Sequence, residues 1–279
     1  MNPLDALAAA GSCRSTSTLQ VPHAGIRSVT PGGPWAGSRR SREDSVTERE
    51  VRMATRIRGS APLKVLFIGN SFTARNDLPG LVARLAIARG KTLQHRLISA
   101  GGASLRTHWN AGEALKAIQG GQYDHVVLQE QSTLPVKNAK RMHENVRLFD
   151  EAIKAAGAKS VLYMTWARGD APESQQAITD AYAGIGRELG AAVVPVGLAW
   201  QRFLGEHSRP ALHDRDQSHP TLAGSYLAAC VFLAVLFQVS PVGIDGELPG
   251  LEAGDLTQLH TAAYQAAQQK GAVHGNKKK

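Results

Sequence analysis

Cysteine and aromatic residues are scarce in this chain of 279 residues, which has two cysteines and only 5% Phe, Trp and Tyr together. Cys13 stands in an irregular leader and Cys230 in an apolar run, so the pair reads neither as a disulfide framework nor as a zinc site, and a reducing, cytoplasmic setting is expected. So few aromatics leave little for the stacking platforms that bind single-stranded nucleic acid, and no nucleic-acid partner is expected. The longest apolar stretch, Tyr226 to Val239, falls short of the ~20 residues that cross a bilayer, so a soluble protein without a membrane partner is expected. No secretory signal is expected either, since Leu4 to Ala10 is short and carries Asp5 inside it. Neither GxGxxG nor GxxxxGK[ST] follows the first apolar run, which argues against a phosphate-binding loop there.

Positive charge is present in excess, with a formal net charge of +9. It belongs to the ends. Residues 1 to 60 hold 9 Lys and Arg against 5 Asp and Glu, and Lys277, Lys278 and Lys279 close the chain. The intervening residues are close to balanced, so the charge says little about what the folded part binds.

From Gly11 to about Ser60 the chain is rich in Ser, Arg, Gly and Pro without an apolar period, the composition of a segment that cannot repay its ordering entropy. It reads as a disordered or targeting-like N-terminal extension, or as sequence ahead of a true start at Met53. Regularity begins at Leu63, where LKVLFIG is a short apolar run closed by Gly69, the pattern of a buried strand. Further strands are expected at Leu93 to Ser99, Asp124 to Leu128, Ser160 to Trp166 and Ala192 to Val196. Helices are expected at 78–89, 108–119, 138–156, 173–189 and 220–237, with a short one at 257–269. Strands alternating with helices predict crossover units, hence an α/β fold with a five-stranded parallel sheet covered on both faces. The division is an extension over 1–60, a catalytic domain over 61–240, and a C-terminal helix with a basic tail over 241–279.

In such a sheet the ligand crevice lies beyond the carboxyl ends of the strands, near where strand order reverses. Ser71 stands two residues after the first strand's closing Gly69. Gly69, Asn70 and Ser71 also suit a plain turn into a helix, with Asn or Ser as cap. A second element, HDRDQSHP, runs from His213 to Pro220. Asp216 and His219, three apart, let a carboxylate hold one imidazole nitrogen while the other faces a serine proton. The same residues suit an ordinary helix start, or a metal cluster of His213, Asp214, Asp216 and His219.

Taken together, these elements resemble the SGNH or GDSL-like hydrolase superfamily, in the subgroup whose first block reads IGNSFT. Ile68 to Thr73 matches that block, Ser99 to Leu105 (SAGGASL) is similar to the second, Val126 to Ser132 (VVLQEQS) to the third, and Asp216 to Pro220 (DQSHP) to the fifth. The resemblance spans Leu63 to about Phe237 and implies a flavodoxin-like three-layer sandwich. It implies Ser71 as nucleophile, His219 as base and Asp216 as its orienting carboxylate. The oxyanion donors it implies are the amides of Ser71 and Gly102, with Gly101 as the competing choice. The usual third block supplies an asparagine that is missing here; Gln129, at the end of the third strand, is the expected replacement, and Gln131 the alternative. Asn70, His108 and Trp109 are expected to bind substrate, Arg106 lies near the crevice, and Trp166 suits a carbohydrate face. The activity implied is hydrolysis of a small carboxylic ester, such as a sugar O-acetyl group, with no cofactor or metal. Acyl transfer through the same serine, or a non-catalytic flavodoxin-like module that binds a small ligand, are the alternatives.

Overall fold

The computed structural model describes residues 61–245 and 248–269. The expectations for the N-terminal extension and the lysine tail lie outside the described residues.

Five strands form the sheet: β1 (Leu63–Gly69), β2 (Leu93–Ser99), β3 (His125–Leu128), β4 (Lys159–Met164) and β5 (Ala192–Pro195). All are parallel, in the order β2-β1-β3-β4-β5. Val65 to Ile68, Val126 to Leu128 and Val161 to Met164 are buried without alternation, as expected of strands covered on both faces. Strand order reverses at β1, so the crevice opens beyond its carboxyl end.

One face of the sheet is covered by α2 (Leu78–Ala88), α8 (Val196–Glu206), α9 (Leu222–Phe237) and α10 (Ala253–Gln268), which pack with Val65, Phe67, Val127 and Tyr163. The other is covered by α3 (Leu105–Ala111), α4 (Glu113–Gly120), α6 (Ala139–Ala155) and α7 (Gln175–Leu189), packed on Leu66, Ile68, Val126 and Leu162. Single-turn helices α1 (Ser71–Ala74) and α5 (Leu134–Lys137) follow β1 and β3. The α/β three-layer sandwich expected from the alternation is the fold found.

Three local differences have physical causes. The helix expected over 108–119 is two helices, because Gly112 adopts φ 75, a left-handed conformation that caps α3 and starts α4. Helix α8 was not foreseen: it leaves β5 directly at Pro195 with no side-chain cap, so its start carries no signal. Its Gly197 lets the helix lie against β4, since a Cβ there would stand 2.1 Å from the Thr165 carbonyl. Helix α10 places Leu256, Leu259, Ala263 and Ala266 in the same core as β1 and α9, so it continues the compact unit beyond residue 240. Among the described residues no helix is long and apolar enough to cross a membrane.

Candidate active site

The end of β1 turns sharply into α1, and three side chains fix that turn. Asn70 caps α1 through Oδ1, which accepts from the Phe72 N–H at 3.1 Å, while its Nδ2 donates to the Ala103 carbonyl at 3.0 Å. Gln129, immediately after β3, accepts from the Asn70 N–H at 2.9 Å and the Thr73 hydroxyl at 3.0 Å. Gly69 is required beneath them, since a Cβ would stand 2.6 Å from Gln129 Oε1 and 2.5 Å from Thr73 Oγ1. His108 Nε2 lies 2.7 Å from the Gly69 carbonyl and takes the donor role there, as an oxygen can only accept. Ser71 emerges half-buried as the first residue of α1.

The segment 213–220 is folded back on itself. His213 and Pro220 form an antiparallel bridge, and the Asp214 N–H donates to the His219 carbonyl at 2.8 Å. Asp216 makes the turn: its Oδ1 accepts from the N–H groups of Ser218 (3.0 Å) and His219 (2.8 Å). Its Oδ2 accepts from His219 Nδ1. That leaves His219 Nε2 as an acceptor, 2.9 Å from Ser71 Oγ. Donation from His219, then from backbone N–H groups, holds the Asp216 carboxyl well below the usual carboxylate range. The Asp216 side chain is nearly half exposed, so solvent screens its charge and geometry matters more than field strength.

Two latches hold this segment against the serine, and sequence reasoning missed both. Asn76 adopts φ 56 and directs Nδ2 to the Thr221 carbonyl (3.1 Å) and Ser225 Oγ (2.9 Å). Asn tolerates that left-handed backbone better than most residues, the one signal available in the sequence. Arg75 pairs with Asp214 at 2.7 Å, and both are exposed, so the pair contributes little by itself. Phe72 stacks on Trp166 with centroids 4.8 Å apart and 2° between planes, and Trp166 on Trp200 at 3.8 Å and 1°. Phe72 also meets the His219 ring edge-to-face at 5.5 Å.

Ser71, Asp216 and His219 are thus brought together from sequence positions far apart. Gly102 is exposed with φ 65, and among the described residues neither its N–H nor that of Ser71 takes a hydrogen-bond partner. Other expected site residues are corrected. Gln129 is fully buried; with Oε1 occupied by Asn70 and Thr73, its Nε2 turns to the Glu130 carbonyl and away from any oxyanion. Gln131 is only partly buried. Its Oε1 accepts from Thr133 and the Leu134 N–H, and its Nε2 makes no hydrogen bond among the described residues. Asn70 and His108 are 3% and 5% exposed with polar atoms committed to the backbone, so they shape the loop and cannot bind substrate. Trp109 packs edge-to-face on Phe149. Arg106 donates to Asn145 Oδ1. Trp166 is 2% exposed, sandwiched between two rings, with Nε1 donating to the Ser218 carbonyl, so it supports the histidine loop and offers no face to a sugar.

His213 Nε2 meets the Ala167 carbonyl and Asp214 meets Arg75, so the residues of the alternative metal cluster point apart. Among the described residues no three His, Cys, Asp or Glu gather in a cation-binding group. A cleft of about 500 Å³ opens beside the loop, lined by Arg168, Trp200, Leu204, His213 and Gln217 among others. Ser71, Asp216 and His219 do not line it, so the hydrogen-bond geometry, not the size of the cleft, locates the candidate site.

Fold and site together define a doubly wound α/β protein with a Ser–His–Asp relay at the carboxyl end of its first strand. That fold, with its strand order, is the one found in SGNH hydrolases. It is similar to a protein from Slackia heliotrinireducens described as a candidate SGNH hydrolase, with 28% identity, TM-score 0.56, and coverage of 63% of this chain and 100% of that one. A DUF4886 family protein from Bacteroides uniformis shares the fold at 21% identity and TM-score 0.60, over 74% of this chain and 95% of its own. A lipase/acylhydrolase from Enterococcus faecalis shares it at 14% identity and TM-score 0.54, over 64% and 98%. No family model matches the chain, and no curated protein matches it in sequence.

Proposed function

We propose that the chain is a serine esterase that cleaves a small carboxylic ester through an acyl-enzyme on Ser71. The observation that carries this reading is the 2.9 Å contact between Ser71 Oγ and His219 Nε2, with Asp216 on the opposite ring nitrogen. His219 accepts the hydroxyl proton as Ser71 Oγ attacks the ester carbonyl carbon, and the carbonyl electrons pass to oxygen. The tetrahedral intermediate collapses, and His219 returns the proton to the leaving alcohol. Water then repeats the sequence on the acyl-enzyme and releases the acid. Asp216 keeps the proton on Nδ1 and stabilises the imidazolium.

The developing oxyanion needs donors that have no other partner. The N–H groups of Ser71 and Gly102 meet that requirement, and Gln131 Nε2 supplies the third donor in place of Gln129. A sugar O-acetyl group is a fitting acyl substrate, in keeping with the acetyl-xylooligosaccharide esterase from a Geobacillus that shares the fold.

The test is turnover of p-nitrophenyl acetate together with labelling by a fluorophosphonate probe. Wild type should turn over and carry the label on Ser71, and Ser71→Ala should lose both. Labelling elsewhere, or unchanged turnover in Ser71→Ala, would overturn the esterase reading.

A further inference from the structure

Glu130 is a carboxylate with no exposure to solvent, placed two residues beyond the end of β3. Everything that meets its oxygens is a donor. Oε1 accepts from the Gln131 N–H at 2.7 Å and the Leu105 N–H at 3.0 Å, and Oε2 accepts from Asn145 Nδ2 at 2.9 Å. A protonated carboxyl would need an acceptor for its hydroxyl, and none of these groups is one. Burial pushes its pKa up, while donation from Asn145 and the two backbone N–H groups pulls it back. A buried charge is costly, and a fold can be held together without one.

What the carboxylate joins explains its presence. Leu105 opens α3, three residues after Gly102, and ends the loop that carries the free Gly102 N–H. Gln131 carries the side chain placed above as the third oxyanion donor. Asn145, on α6, passes the contact on by accepting from Arg106 Nε at 3.0 Å. One carboxylate therefore ties the loop after β2 to the loop after β3, on the side where a substrate carbonyl oxygen would sit. Its neighbour Gln129 holds the third loop, that of Ser71.

We infer that Glu130 is a positioning residue that sets the spacing of the Gly102 and Gln131 donors, an inference that rests on the esterase reading. It does not touch the substrate. It acts by fixing the Leu105 and Gln131 peptide groups, one on each of the two loops that carry those donors, and misplacement by about 1 Å is enough to cost ~10²-fold in rate.

Glu130→Gln is the informative variant, since it keeps shape and removes charge. Its amide oxygen can still serve Leu105 and Gln131, but its NH2 then faces the NH2 of Asn145. Adding Asn145→Asp restores an acceptor there and keeps one for Arg106. With p-nitrophenyl acetate, Glu130→Gln should lower kcat per folded molecule about 10²-fold with KM within about threefold, beside a fall in melting temperature from the unpaired Asn145 NH2; the double variant should recover most of both losses. A merely structural role would lower the melting temperature and the yield of folded enzyme while leaving kcat per folded molecule intact. Should Glu130→Gln fail to fold, Asn145→Ala removes the Oε2 donor together with the acceptor for Arg106, and the same fall in kcat is expected.

Amide resonances of Gly102 and Gln131, followed by 15N NMR, provide an arm that needs no turnover. They should move in Glu130→Gln and return in the double variant. Resonances that stay in place, a kcat within twofold of wild type, or no rescue by the second substitution would each overturn the inference. Wild-type protein without Ser71-dependent turnover would overturn the esterase reading instead, and the amide resonances would then still decide whether Glu130 positions these loops.

Discussion

His219 has a different partner on each nitrogen, and the two should fail differently. Asp216→Asn leaves the ring near Ser71 but no longer demands a proton on Nδ1, so kcat should fall by about 10⁴ with KM little changed, the magnitude seen when a triad carboxylate is replaced by its amide. The pH behaviour follows from the depressed Asp216 carboxyl. A carboxyl lowered in the folded state adds stability that is present above the ordinary Asp pKa of about 3.9 and is lost only as pH falls through the folded value. Asp216 therefore stays ionised across any ordinary assay range. Above the ordinary histidine range, from about pH 8 to about pH 9, the Asp216→Asn deficit should be constant, measured as a kcat profile beside wild type; a deficit that vanishes within that range would refute this. The two glutamines separate as well. Gln131→Ala should cost about 10²-fold in kcat and leave the melting curve in place. Gln129→Leu should instead destabilise by about 1–3 kcal/mol, because the buried Asn70 N–H and Thr73 hydroxyl lose their acceptor. At this scale the hydrogen-bonded row of Ser71, His219 and Asp216 was legible because such a row depends on residue type and short spacing. The choice between Gln129 and Gln131 was not, since both are amides on one loop and only burial distinguishes them.

Elements were legible in proportion to how strongly local sequence determines them. The strands read clearly because parallel strands covered on both faces are short unbroken apolar runs, as in VLFI and VVL. Helix α8 did not, because it begins with no capping signal and its meaning lies in what it packs against. That packing gives a test. Gly197→Ala would set a methyl 2.1 Å from the Thr165 carbonyl and 2.3 Å from Gln175 Nε2, and Gln175 itself holds the Ala167 N–H at the start of the loop behind Trp166. A backbone oxygen on one side leaves little room to relax, so a loss of about 1–3 kcal/mol is expected, which calorimetry would register as a drop of about 2–4 °C per kcal/mol. A melting temperature within a degree of wild type would mean that α8 shifts freely on the sheet.

On the scale of the molecule, the C-terminal helix belongs to the core. Leu256, Leu259, Ala262, Ala263 and Ala266 pack with α8 and α9, and His260 Nε2 meets the buried Tyr226 hydroxyl at 2.8 Å. Burial of the Tyr226 and Cys230 side chains pushes both acids up, in keeping with a dry interface. A chain ending at Phe237 should therefore fail to fold cooperatively, which circular dichroism would show as the loss of a sharp thermal transition. Sequence alone determined the layer architecture, the order of elements and the three residues of the proposed relay, since hydrophobic periodicity and residue chemistry act over a few neighbours. Tertiary structure alone decided which glutamine is buried with its amide engaged, which residues brace the serine and histidine loops and where the compact unit ends. Those depend on contacts between segments tens to well over a hundred residues apart, such as Asn76 with Ser225 or Glu130 with Leu105, and no local pattern records what a side chain will meet once the sheet has closed around it.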